Sequence, residues 1–278
     1  SAFMILRQQR AHYFFETAKA EIKKQREISN RDRFQSSNEA IRLLVRVVRE
    51  APDHTFGRRA LGYVRHEDQW VWPNAARQLR QQKEYSRKNG WTRNGKSTIA
   101  SSSPSKLLLP KIVSPQATNT TKLFVSDHWN IQSTAGTVQT GDLAERLELT
   151  RFIWRQVFGG FVMTPAELNS RINGQARPRP TGSFKAILLA HREQYINSLR
   201  SLEPNVEKSL GMYWTPTQTA WFFDNQDSDR QTVEHEATHQ LFAECWPTNP
   251  VAGSHHGIWA MEAAACYMES IVKTEFGF

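Results

Sequence analysis

From Val233 to Phe242 the chain reads Val-Glu-His-Glu-Ala-Thr-His-Gln-Leu-Phe, and no other run restricts the fold as much. Asp227-Ser228-Asp229 supplies N-cap residues for a helix, with Ser228 and Gln231 in capping-box spacing. Trp246-Pro247 marks its end, because proline disfavours helix at the residue before it. On that helix His235 and His239 are four residues apart, so both imidazoles project from one face and can hold one metal ion. Glu236 is rotated by about 100° from His235, within reach of a metal-bound water without being a ligand. Val233, Ala237, Leu241 and Phe242 form the buried face that such a helix needs at the centre of a domain.

A second helix is predicted over Ile258–Glu269. It is almost wholly apolar except for Glu262 and Glu269, seven residues apart on one face. An ionised carboxylate on a buried helix is costly unless it is paired or ligates a metal. A third-ligand role accounts for Glu262, and two His plus one Glu leave the fourth position of a zinc ion open to water. Glu269 is read as a support for the ligands rather than as one of them.

His-Glu-x-x-His, with 22 residues between His239 and Glu262, followed by Trp259-x-x-Glu262-x-x-Ala265-x-Tyr267-x-Glu269, resembles the gluzincin metallopeptidases, the clan of thermolysin and the zinc aminopeptidases. Ala260 and Ala263 stand where the clan usually has Leu and Gly, and the second change adds only a methyl group. The metzincin pattern is absent, since Phe242 stands where Gly is needed and Cys245 where the third His would be. The clan resemblance covers residues 122–278. More narrowly, the chain is similar to planctomycete-type proteins of a domain family with no assigned function, through Leu61-Gly62-Tyr63, Trp70-Val71 and Gly90-Trp91. The resemblance implies a zincin-like catalytic domain, Zn2+ as cofactor, a peptide or protein substrate and a secreted or cell-envelope location.

Three segments are expected. Residues 1–93 read as a helical region: Ile5, Phe14, Phe15, Ala18 and Ile22 form one apolar stripe, and Ala40, Ile41, Leu43, Leu44, Val47 and Val48 another. Ala51-Pro52-Asp53-His54 ends the second helix, and a third begins near Thr55. A hairpin is expected over 64–72 and a polar helix over 73–88, closed by Gly90-Trp91. His12, His54 and His66 lack metal-ligand spacing and read as surface or capping residues. Residues 94–121, rich in Ser and Pro around Leu107-Leu108-Leu109, read as a linker. Residues 122–278 read as an α+β domain with a small mixed sheet beside the two ligand helices. Its strands are placed at 122–131, 184–189, 211–214 and 219–223, with helices over 142–158 and 192–199. By the resemblance, an edge strand just before the His-Glu-x-x-His helix pairs with extended peptide, and residues 217–223 are expected to do so.

Charge divides along the same line. Residues 1–122 hold 24 Lys/Arg against 10 Asp/Glu, whereas residues 123–278 hold 12 against 17. A basic half of this kind suits an anionic partner such as nucleic acid, cell-wall polymer or acidic protein, and equally a solvated helical surface. No recognised nucleic-acid motif accompanies it. No run of 18 apolar residues spans a membrane. Ser1-Ala2-Phe3 shows neither an initiating Met nor a signal peptide, as in a processed or trimmed chain. Cys245 and Cys266 are too few for a disulfide framework; each lies near a ligand helix, so they fit a single bridge or, as the preferred reading, two buried thiols, without the pairing expected of zinc ligands.

The mechanism expected is zinc-dependent peptide-bond hydrolysis, with His235, His239 and Glu262 as ligands and Glu236 as general base. Gluzincins usually place a His or Tyr beyond the third ligand to stabilise the oxyanion, but only 16 residues follow Glu262. Tyr213, His255, His256 and Tyr267 are the candidates for oxyanion or substrate contact. No Gly-Ala-Met-Glu-Asn exopeptidase signature is present, which favours an endopeptidase. Two other readings fit the same residues: a zinc-binding interaction module without catalysis, and a zinc amidase acting on cell-wall peptide. A third makes the N-terminal helices a partner-binding scaffold controlled by the zinc domain.

Overall fold

The computed structural model of the chain describes residues 2–25, 30–86, 90–93, 96–97, 121–175, 184–224, 231–245 and 258–271. The structure is mixed α and β, and it divides into two compact units, Ser1–Arg80 with Phe152–Arg179 and Gln81–Arg151 with Pro180–Phe278. No helix among the described residues is long and apolar enough to cross a membrane.

The first unit begins with α1 (Ala2–Lys24) and α2 (Asn30–Glu50), which pack along each other through the two expected stripes, except that Ile5 is exposed and Ala11 is buried in the α1 stripe. Phe15, Ala18 and Ile22 meet Ile41, Leu44 and Val47 in one core. α3 (Thr55–Ala60) is capped by His54, whose Nδ1 accepts the Gly57 N–H at 3.1 Å. β1 (Val64–His66) and β2 (Gln69–Val71) form the expected hairpin, followed by α4 (Pro73–Arg80).

Three boundaries differ from the sequence reading. The polar helix stops at Arg80, and Gln82 turns the chain through a left-handed conformation (φ 57°) into β3 (Glu84–Ser86). β3 pairs with β4 (Gly90–Arg93), which pairs with β5 (Lys96–Ser97), so Lys96 and Ser97 of the expected linker belong to a small antiparallel sheet. Residues 98–120, with Leu107-Leu108-Leu109, lie outside the described residues. The unit division also leaves 152–179 with the N-terminal helices instead of with the rest of 122–278. Met163, Leu168 and Ile172 complete the core around Ile41 and Leu44, and apolar burial sets that division.

The second unit is built on five strands in the order β6-β7-β8-β10-β9. The single strand expected over 122–131 is a pair, β6 (Lys122–Val125) and β7 (Trp129–Ser133), antiparallel across the turn at 126–128. Glu148 of α5 (Thr137–Val157) holds that turn, accepting from Ser126 Oγ (2.6 Å) and the His128 backbone N–H (2.6 Å), with His128 Nδ1 at 2.7 Å. α6 (Pro165–Ile172) is capped by Thr164 and belongs to the first unit.

β8 (Phe184–Leu189) runs parallel to β7 and to β10 (Thr219–Phe223), and β9 (Gly211–Trp214) is antiparallel to β10. α7 (Arg192–Leu199) links β8 to this hairpin. The alternation of strand side chains sorts the two faces. Ile187, Leu189, Trp221 and Phe223 pack with Tyr195 and Leu199 on the α7 side. Trp129 turns the other way, toward α8 (Gln231–Cys245), which lies across β9 and β10. The expected peptide-pairing strand, 217–223, is therefore misplaced: β10 has neighbours on both sides and all its residues are buried. The sheet edge beside α8 is β9. The last described helix, α9 (Ile258–Glu269), packs on α8.

Candidate metal centre

Polar contacts from β7, β8, β9 and α5 fix α8 to its surroundings, and others brace it from within. Gln240, fully buried, accepts from Trp129 Nε1 at 3.0 Å and donates to Lys185 O (3.1 Å) and Glu244 Oε1 (2.9 Å). Arg146 of α5 makes a two-pronged ion pair with Glu234, Nε to Oε1 at 3.1 Å and Nη2 to Oε2 at 2.7 Å. Thr238 Oγ1 donates back to the Glu234 carbonyl at 2.7 Å. The Tyr213 backbone N–H of β9 donates to Glu236 Oε2 at 2.7 Å. Close approach there depends on Gly211: a Cβ at that position would stand 2.7 Å from Thr232 Cγ2 and 3.3 Å from Glu236 Cγ.

With α8 held in this way, His235 and His239 turn together toward α9. Their Nε2 atoms are 3.1 Å apart, and the Glu262 carboxylate places Oε2 at 3.3 Å from His235 Nε2 and Oε1 at 3.4 Å from His239 Nε2. Ligand atoms on a tetrahedral zinc with bonds of about 2.0–2.1 Å stand about 3.3–3.4 Å from one another. Two imidazoles and one carboxylate at these separations form a donor set that fits a zinc-sized divalent cation.

The contacts around the cluster agree with that fit. Glu269 Oε1 lies 2.5 Å from His235 Nδ1, where a carboxylate accepts from the ring N–H, and Nε2 is the nitrogen that faces His239 and Glu262. Burial pushes the His239 imidazole below its ordinary value, with Glu262 pulling upward and His235 downward. A neutral ring is the form a metal binds. Burial pushes the Glu236 carboxyl up from the usual carboxylate range. The Tyr213 N–H and His235 act against that shift, and Glu262 and Glu269 add to it.

Not every expected site residue joins the cluster. The Tyr213 backbone reaches Glu236, but its hydroxyl donates to Glu244 Oε1 at 3.3 Å. Burial and the Glu244 carboxylate push the Tyr213 phenol above its ordinary range. Tyr267 is exposed on α9, five residues and so about 140° from Glu262. His255 and His256 lie outside the described residues. The premise that α9 is a buried helix does not hold. Trp259 is 74% and Tyr267 55% exposed, the Glu262 side chain is 47% exposed, and among the described side chains of α9 only Ala265 and Met268 are buried. Glu262 is placed by convergence with the two His, not by the cost of burying its charge.

Cysteine is the second correction. Neither thiol is in a disulfide; Cys245 is half-buried and Cys266 exposed. Cys266 was passed over in the sequence, although it lies four residues after Glu262 and so on the same face of α9. Its sulfur, a Glu269 carboxylate oxygen and a His235 ring nitrogen lie within 4.8 Å of one another. Gln240 and Glu244 also escaped the reading, because a buried polar residue on a helix has no periodic signal.

No protein-family model matches the chain, and neither the curated proteins nor the solved structures include a significant match.

Proposed function

We propose that the chain is a zinc-dependent peptidase of the gluzincin type, with residues 231–245 and 258–269 as the ligand-bearing helices of a zincin-like domain. The observation that carries this reading is the mutual approach of His235 Nε2, His239 Nε2 and the Glu262 carboxylate, with Glu236 beside them. His235, His239 and Glu262 would hold Zn2+. Zinc, when bound, supplies a Lewis acid for the scissile carbonyl and lowers the pKa of water toward about 7.

Glu236 handles the proton. Its Oε2 is taken by the Tyr213 N–H, which leaves Oε1 as the atom that accepts a proton from the attacking water and delivers it to the leaving amine. A carboxyl raised by burial suits both halves of that transfer. Glu269 holds His235 in the tautomer that offers Nε2. Gly211–Trp214 has β10 on one side and no strand on the other among the described residues. Its free edge suits an extended peptide backbone, and an extended mid-chain segment fits an endopeptidase.

One observation favours a second reading. The Tyr213 hydroxyl is directed at Glu244, and no oxyanion donor accompanies the cluster among the described residues. A zinc-binding interaction module needs no such donor.

Glu236→Gln separates the two. The amide keeps an acceptor for the Tyr213 N–H and cannot take a proton. Protein purified without added metal is analysed for zinc and incubated with a mixed peptide library read by mass spectrometry. The expected result is about one zinc in parent and variant alike, with turnover in the variant lower by about 10²–10⁴-fold. An unchanged rate refutes the general-base assignment, and zinc uptake without hydrolysis by the parent establishes the module.

A further inference from the structure

Glu262, Cys266 and Glu269 occupy positions i, i+4 and i+7 of α9, within an arc of about 60° on one helix face. His235 faces that stripe with both ring nitrogens. Nε2 belongs to the cluster with His239 and Glu262, while Nδ1 points away from it, 2.5 Å from Glu269 Oε1. Cys266 stands between the two carboxylates in sequence, and its Sγ lies within 4.8 Å of both a Glu269 carboxylate oxygen and a His235 ring nitrogen; Nδ1 is the ring nitrogen that Glu269 contacts. One imidazole thus divides two sets of potential ligands, nitrogen and oxygen on one side, sulfur and oxygen on the other.

We propose that His235 Nδ1, Cys266 Sγ and the Glu269 carboxylate form a second, weaker site for a thiophilic divalent cation such as Zn2+ or Cd2+, and that filling it inhibits the first. The proposal rests on the zinc reading of His235, His239 and Glu262. A thiolate selects soft and borderline metals over Mg2+ and Ca2+. Cys266 is exposed, so an ion reaches it directly from solvent.

The proton balance sets the order of filling. The second ion displaces one proton from the Cys266 thiol and one from His235 Nδ1, both to solvent, and Glu269 passes from accepting the Nδ1–H bond to ligating. His235 then bridges two cations as imidazolate. Loss of two protons and repulsion between the ions make this site weaker than the first and weaker still at low pH. With Glu269 drawn to the second ion, His235 loses the carboxylate that orients its ring toward the first site, and the first site is disturbed.

Co2+ reports the two sites separately, because a thiolate ligand adds a near-ultraviolet charge-transfer band that His and carboxylate ligands do not. The full chain, stripped with a chelator, is titrated with Co2+ as parent, Cys266→Ser and Cys245→Ser. The first equivalent is expected to bind without a thiolate band and the second to bring one. Cys266→Ser should stop at one equivalent with no band, and Cys245→Ser should behave as the parent. In parallel, the rate of peptide hydrolysis with zinc in excess, relative to one equivalent, should fall in the parent and hold in Cys266→Ser. A thiolate band that survives Cys266→Ser, or parent saturation at one equivalent without a band, overturns the second site and leaves the first standing. A band at the first equivalent puts the resident ion on Cys266 and overturns both assignments. No cobalt uptake overturns the first site and this proposal with it.

Discussion

Replacing Gln240 with Met removes the link between α8 and the sheet at nearly constant volume, and its cost follows from the partners. Gln240 is fully buried and serves Trp129 Nε1, the Lys185 carbonyl and Glu244. Trp129 is itself fully buried, so its indole N–H is left without an acceptor, which costs about 1–3 kcal/mol. The bond to Glu244 involves a carboxylate, and losing it costs about 1.5–3 kcal/mol. Together these give about 2.5–6 kcal/mol, a large part of the roughly 5–15 kcal/mol that holds a domain folded. With a urea dependence of about 2 kcal/mol per molar, the unfolding midpoint should fall by about 1.2–3 M. Equilibrium unfolding followed by circular dichroism measures it. Adding Trp129→Phe removes the orphaned donor, so in a double-mutant cycle the two changes should couple by about 1–3 kcal/mol. Effects that simply add, within about 0.5 kcal/mol, would refute the argument that the Trp129 N–H is the group at stake.

Two further outcomes are expected. Glu269→Gln should weaken zinc binding about 10–100-fold, measured by competition with a chromogenic chelator, because Glu269 orients the His235 ring. Glu244→Gln should stabilise the protein at neutral pH and not at acid pH. Burial raises the Glu244 carboxyl, with Gln240, Tyr213 and Lys185 opposing. The native state therefore holds the Glu244 proton more tightly than the unfolded chain does. The stability this provides is complete below the ordinary glutamate value and is lost as pH rises through the native one. Gln does not titrate, so the difference between variant and parent midpoints should open as pH rises from about 4 toward 7; a gap independent of pH would contradict it.

Much of this arrangement is legible in residue spacing. A spacing of four residues from His235 to His239 suffices to place them on one helix face, and the run Phe184–Leu189 reads directly as a strand covered on both sides. Thr164-Pro165 with Glu167 carries an N-cap signal for α6 that the sequence reading left unused. Strand order is another matter. Nothing local in Thr219–Phe223 distinguishes an inner strand from an edge, because that depends on which strands pair, and the pairing of β10 with β8 joins residues more than thirty apart. The placement of 152–179 with the first unit is hidden for the same reason: Met163 and Leu168 look like any apolar helix residues until their partners are known. Cys266 was missed through composition, since two cysteines suggest neither a bridge framework nor a zinc cluster, whereas its helical register beside Glu262 does mark it.

The two ligand helices are anchored very differently. α8 is fastened by Gln240, by the Arg146–Glu234 pair and by the Tyr213 contact, none of which involves a ligand side chain. α9 buries only Ala265 and Met268 among its described residues, and its carboxylates Glu262 and Glu269 meet His235 and His239 of α8. Occupancy of the centre would then govern the local opening of α9 far more than that of α8. Chelation should speed amide hydrogen exchange across residues 259–269 while residues 233–242 stay protected. In that case α9 would act as the removable jaw of a clamp whose fixed jaw is α8, and protection of its amides would be a direct gauge of metal loading.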